Sequence, residues 1–155
     1  MLVTAHSLTG AFIGKEVGYP PLAFLLGFIS HFILDAIPHN DGPDDAVVRG
    51  ENEPMSSAQY AIVAADIALT IIVMIYFLNR GEATPGFIWG AIGAVLPDFV
   101  DNTPFWSTTV RKLPVFKQFH IFHHGLQKIK TPMWFGLLTQ YAIAAVFFWL
   151  LFRVR

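Results

Sequence analysis

An all-α membrane helix bundle is the fold class this sequence predicts, and three observations predict it. Hydrophobic residues make up 54% of the 155 positions and charged residues only 14%, well below the roughly one quarter charged of an ordinary soluble domain. Mean hydropathy is +0.52. The apolar residues also fall into long runs punctuated by Pro, Gly and short polar turns, with no alternating strand pattern. At this length one integral membrane domain over residues 1–155 is expected.

The run Leu2–Gly14 is apolar but short of the roughly 20 residues a bilayer crossing needs, so it reads as a short or tilted N-terminal helix. It has no basic leader and no A-x-A site, so a cleaved signal peptide is not expected. "KEVGYPP" makes a turn, with prolines where a helix tolerates them at its start. A second helix follows over about Pro21–Ile37, stopped by Pro38. "HNDGPDDAVVRGENEP" (His39–Pro54) reads as a polar loop. Ser56 or Ser57 can cap a third helix running to about Leu78. "NRGEATP" connects to a fourth, about Gly86–Asp101, where Gly86, Gly90 and Ala94 have the small-xxx-small spacing of close helix packing. Residues 102–131 read as an amphipathic, basic interfacial segment, its rings at headgroup depth and Lys128 and Lys130 as a snorkelling flank. The last helix, about Pro132–Phe152, completes four long spans beside the short first helix and the interfacial one.

Formal net charge is −1, so no basic field argues for nucleic acid. Cysteine is absent, which excludes disulfides and thiolate metal sites; any metal must be held by His, Asp or Glu. Lys15, Arg80, Arg153 and Arg155 lie in short connections at one end, which favours that end as cytoplasmic. The ionisable groups within the apolar helices collect at the other.

His31 and Asp35 are four residues apart and share a helix face, with His39 just beyond at the mouth. Charge in hydrocarbon costs at least about 2.5–3.5 kcal/mol per group, so this pair must either bind each other or bind a cation. The fourth helix ends with Asp98 and Asp101, where negative charge opposes the helix dipole and again asks for a cation. His120 and His124 share a face in the connector, with His123 turned some 60–100° away, and His6 begins the first helix at the same end. Such N/O donors are the ligand types of zinc or manganese. His6, His31, Asp35, Asp98, His120 and His124 are therefore the expected metal ligands. Asp101 or His39 is then left as a general base or acid. Asp66, deep in the third helix, either takes the other N–H of a ligand such as His31 or makes an interhelical hydrogen bond. Arg111 and Lys112 are candidates for holding a phosphate.

With "TAHSLTGAFIG", "SHFILDAIPH", "GAVLPDFVD" and "HIFHHG" in this order, the chain resembles the small membrane-bound, predicted metal-dependent hydrolases of bacteria and archaea. That family is in turn distantly similar to zinc-dependent phospholipase C and the single-strand-specific zinc nucleases. The resemblance implies a multi-pass protein of a prokaryotic cell membrane holding one to three divalent ions. With the ligands near one membrane surface and an apolar bundle beside them, the expected reaction is hydrolysis of a phosphoester or phosphoanhydride of a lipid-linked substrate, its tail along the second and fourth helices. The chain departs from the soluble enzymes in motif order and in lacking a glutamate paired with the second histidine set. The alternative expectation is a transporter or carrier of metal ions or protons, for which a homo-oligomer would have to complete the polar path.

Overall fold

The computed structural model describes residues 1–42, 56–126, 129 and 131–153. Among them the chain is all-helical, in the order α1 (Val3–Val17), α2 (Pro20–Asp35), α3 (Ser57–Asn79), α4 (Pro85–Asp101), α5 (Ser107–Val110), α6 (Pro114–Leu126) and α7 (Met133–Arg153). The expected loop over residues 43–54, the basic flank at Lys128 and Lys130, and the terminal Arg155 lie outside the described residues.

Local chemistry sets the helix boundaries. Gly18 ends α1 in the left-handed region, at φ 69°, and returns its N–H to the Gly14 carbonyl, a conformation glycine adopts without penalty. Pro20 and Pro85 open α2 and α4 at positions whose N–H has no helical partner. The Ser56 and Thr84 side chains accept the Gln59 and Phe87 N–H groups, each at 3.2 Å, and so cap α3 and α4. The residues after Asp101 fold as the single-turn α5 and the longer α6, which runs through Gly125 to Leu126.

At the centre lies α1, buried without interruption from Thr4 to Ala11. It packs tightly on α2 and α4 because glycines face one another. A Cβ on Gly10 would overlap the Gly90 carbonyl, one on Gly14 the Gly86 carbonyl, and one on Gly27 the Gly90 carbonyl again. Backbones this close gain dispersion contacts along their whole length. The outer helices α3 and α7 are each fastened to the start of α1 by one buried polar side chain. Asp66 accepts the Thr4 N–H at 3.1 Å and the Thr4 hydroxyl at 2.6 Å. Gln140 accepts the Leu2 N–H at 2.5 Å and donates to the Asn40 carbonyl at 2.8 Å. At the opposite end Glu82 pairs with Lys15 at 2.7 Å and Arg80 at 2.6 Å.

The expectation of four long spans is corrected by helix length. Among the described residues, α3 with 23 residues and α7 with 21 are long and apolar enough to cross a membrane. By contrast α2 has 16 residues and α4 has 17. At 1.5 Å per residue these reach about 24 and 26 Å, short of the roughly 30 Å hydrocarbon core. Prolines at the start of each, and Pro38 after α2, fix those lengths. The outward faces of α3 and α7 are apolar, with Ile71, Ile72, Ile75, Leu138, Val146 and Trp149 all exposed.

Candidate metal centre

Three helix ends and the start of α1 meet at one end of the bundle. Helix α2 brings His31 and Asp35 on consecutive turns, α4 brings Asp98 and Asp101, and α6 brings His120, His123 and His124. His6 enters from α1, its ring stacked on that of His31 with centroids 4.0 Å apart. His6, His31 and His39 are wholly buried, and Asp35, Asp101 and His123 almost so.

Among the described residues two groups able to hold a metal ion result: His31, Asp35, Asp98 and His123, and beside them Asp101, His120 and His124. In the first, His31 Nε2 and His123 Nε2 lie 2.9 Å apart. Asp35 Oδ2 is 3.0 Å from each of them. Asp98 Oδ1 lies 3.8 Å from His31 Nε2 and 3.7 Å from His123 Nε2. Tetrahedral zinc with bonds near 2.0–2.1 Å has ligand-to-ligand edges of about 3.4 Å, and these separations fall on both sides of that value.

The protons fit a cation as well as the distances do. His31 Nδ1–H donates to the Ala94 carbonyl at 2.7 Å, and His123 Nδ1–H donates to Asp101 Oδ2 at 3.0 Å. The Ala94 carbonyl assigns the tautomer of His31; His123 faces a carboxylate at each nitrogen, Asp101 at Nδ1 and Asp35 at Nε2. With both rings neutral and the proton on Nδ1, both Nε2 atoms carry lone pairs, and they converge with a carboxylate oxygen. Only a proton or a metal ion relieves that convergence. In the metal-free protein burial pushes His123 down, but Asp101 and Asp35 outweigh it and lift the ring to about 9. His6 supplies a further mark of a cation site. Its Nε2 is 3.2 Å from Asp35 Oδ1, yet neither ring nitrogen, both buried, makes a well-formed hydrogen bond among the described residues. The donor set of His and Asp therefore fits a divalent ion.

In the second group Asp101 is the hub. His120 Nδ1–H donates to its Oδ1 at 2.9 Å, Arg111 Nε to the same oxygen at 3.0 Å, and His124 Nε2 lies 3.4 Å from Oδ2. An Arg111 Nη also donates to the Asp101 carbonyl. Because His123 Nδ1 bonds the same carboxylate, Asp101 links the two groups. Burial and the neighbouring His124 and Arg111 hold His120 below its ordinary value, against the pull of Asp101.

The expected ligands thus divide: His31, Asp35 and Asp98 fall in one group, His120 and His124 in the other, and His6 borders the first. His39, expected at the mouth, is instead wholly buried, its Nε2 3.9 Å from Asp35 Oδ1 and 3.4 Å from Asp41 Oδ2. Two further expectations change, for His123 and Arg111, and Asp66 takes the second of its two expected roles. His123, set aside by helix-face counting, is a member of the first group. Asp66 does not take the second nitrogen of His31, which the Ala94 carbonyl holds; Asp66 makes the interhelical bond to Thr4 instead. Arg111 is engaged by Asp101 rather than open to a phosphate, while Lys112 is exposed. The spacing Asp98-x-x-Asp101 with His120-x-x-His123 was the available signal for His123, since i and i+3 also share a helix face.

The fold and site define a helical protein with two apolar helices able to cross a membrane and two adjoining buried His/Asp groups able to hold metal. Comparison of the chain with protein-family models, with curated proteins and with solved structures gave no match.

Proposed function

We propose that this protein is a multi-pass membrane hydrolase dependent on a divalent metal, with zinc as the ion and a lipid-linked phosphoester or phosphoanhydride as substrate. The observation that carries the metal is the convergence of His31 Nε2, His123 Nε2 and Asp35 Oδ2 within 3.0 Å, with His31 Nδ1 already donating to the Ala94 carbonyl and His123 Nδ1 3.0 Å from Asp101 Oδ2. When bound, a divalent ion polarises a phosphoryl oxygen and lowers the pKa of water toward about 7. His31, Asp35, Asp98 and His123 hold one ion; Asp101, His120 and His124 hold a second. Asp101 also fixes the His123 tautomer, as a carboxylate behind a ligating histidine does. His39 Nε2, 3.9 Å from Asp35 Oδ1 and 3.4 Å from Asp41 Oδ2, would accept or return a proton. Lys112, exposed beside Arg111, is free to meet a headgroup phosphate.

The resemblance of the four sequence segments to membrane-bound predicted hydrolases supports the reaction class, and the exposed apolar faces of α3 and α7 support the membrane. A carrier has less support. The charged groups at the far end, Lys15, Arg80 and Glu82, are bound to one another, and no titratable chain links them to the metal-capable end among the described residues. The test is elemental analysis of protein purified without chelator, followed by a hydrolysis screen of phospholipids and prenyl phosphates with and without metal. Metal-dependent turnover supports the proposal. Metal flux across proteoliposomes without hydrolysis replaces it with a carrier.

A further inference from the structure

A cavity of about 650 Å³ lies between α3 and α4. One part of its wall is polar, formed by Asp35, Asp98, His123 and His124. Further polar groups, Gln59 and Asp66 of α3 and Asn102 after α4 among them, also line it, but most of the remaining wall is apolar: Val63, Ala64 and Ile67 of α3, Val95 and Phe99 of α4, and Phe105 beyond them. It exists because α3 is fastened to α1 through Asp66 and Thr4, while α4 is drawn to the other side of α1 and to α2 through glycines. Ile67, Phe99 and Phe105 are 43%, 54% and 86% exposed, so the gap opens sideways onto the apolar face that Ile71 continues along α3.

Size and lining select the occupant. Water finds almost no partners on the apolar wall. A peptide helix is about 10–12 Å across and fills roughly 500 Å³ per turn, so little more than one turn would enter. Taking a methylene as about water-sized, roughly 30 Å³, the space holds about twenty such groups. That is one long hydrocarbon chain and not two. We propose that this groove seats a single hydrocarbon chain of a lipid whose anionic headgroup lies at the His31, Asp35, Asp98 and His123 group. The inference rests on the metal reading of that group, because its carboxylates alone would repel an anion. It also moves the tail from the expected position along α2 and α4, where Gly27, Gly90 and Gly93 bring the backbones too close to leave room.

The test uses the full-length protein in phosphatidylcholine–phosphatidylglycerol vesicles containing a trace of phospholipid with a photoactivatable diazirine in its acyl chain. Mass spectrometry then maps the labelled residues. Labelling is expected at Val63, Ile67 and Phe99 above that at Ile72, which faces away at 65% exposure. Ala64→Trp and Ile67→Trp, which fill the groove, should each lower the Phe99 signal about tenfold. Ala65→Trp, on the same helix outside the lining, should leave it unchanged. Ala64 and Ile67 are exposed, and unchanged metal content and monodispersity verify that the variants are folded. Labelling that is uniform along α3, or insensitive to both groove-filling variants, overturns the proposal. Uniform labelling beside metal-dependent hydrolysis removes the groove and keeps the hydrolase. Groove labelling without hydrolysis of any lipid phosphate does the reverse.

Discussion

Replacing Asp35 with Asn separates a metal centre from a buried hydrogen-bond network. Asp35 Oδ2 is equidistant, at 3.0 Å, from the ligating nitrogens of His31 and His123, and Oδ1 lies 3.2 Å from His6 Nε2. Asn keeps the volume and can still hydrogen-bond, but it removes the anionic ligand. Four-ligand zinc sites bind with apparent free energies of about 10–16 kcal/mol, so one ligand of four contributes about 2.5–4 kcal/mol. At 1.4 kcal/mol per decade, zinc affinity should fall about 100- to 1,000-fold. The assay is competition against a fluorescent zinc chelator in detergent, with metal content measured in parallel. Glu16→Gln, exposed at the opposite end of α1, is the control and should bind as wild type. If Asp35→Asn binds zinc as tightly as wild type, the His31–Asp35–Asp98–His123 assignment is wrong. Wild-type protein retaining under about a tenth of an equivalent would remove the metal centre altogether.

Other perturbations reach different parts of the structure. Asp101→Asn leaves the first group's own ligands in place but loosens His123, so affinity at that group should drop about 10- to 100-fold, with partial recovery in Asp101→Glu; no change would mean Asp101 does not orient the ring. Gly90→Ala would drive a Cβ into the Gly10 carbonyl with Gly14 Cα 2.9 Å away. It should cost roughly 3 kcal/mol, read as a lowered thermal midpoint in detergent, whereas Gly125→Ala, with open space around it, should not. Because the chain has no cysteine, single cysteines report topology cleanly. Thr108→Cys and Tyr19→Cys should react with an impermeant thiol reagent from opposite sides of oriented vesicles, and labelling of both from one side would break the proposed membrane arrangement.

Much of the fold is legible because its signals are local. Proline at the first turn, a hydroxyl at Ser56 or Thr84, and glycine at Gly18 each satisfy or remove backbone groups within a few residues, so they mark boundaries wherever the helix packs. Burial is not local. Apolar composition makes the N-terminal helix and α3 look alike, yet one is enclosed on all sides and the other is largely exposed. The difference comes from partners. Gly86 and Gly90 are recognisable as a close-packing face, but only the fold reveals that Gly10, Gly14 and Gly27 answer it. The length of a helix is legible too, and it is why two apolar runs that read as long spans fall short of crossing.

The site divides along the same line. His31 and Asp35 on one helix, or His120 and His124 on another, can be paired by counting turns, since both members ride on one rigid rod. A metal site at the junction of three helices obeys a further rule: each rod contributes the flank that faces the common centre, which need not be the face that holds its i, i+4 pair. On α6 the face carrying His120 and His124 turns toward Asp101, and the flank 60° from His120 carries His123 toward α2. The bond from His123 Nδ1 to Asp101 then joins the two groups, so that residue is the hinge of the arrangement and not its outlier. Asp66 illustrates the converse. Its depth in an apolar helix required a partner, and the requirement was met by Thr4, whose N–H lies in the first turn of α1 where no helical acceptor exists for it, and whose hydroxyl donates beside it. A buried carboxylate beside a helix N-terminus is satisfied without any ion; among the described residues the carboxylates at the ends of α2 and α4 meet several histidines, Arg111, Asn102 and, for Asp35, the N-terminal ammonium at 2.6 Å. That contrast, between an acid at the positive end of a helix and acids at negative ends, is what separates the structural aspartate from the ones proposed to bind metal.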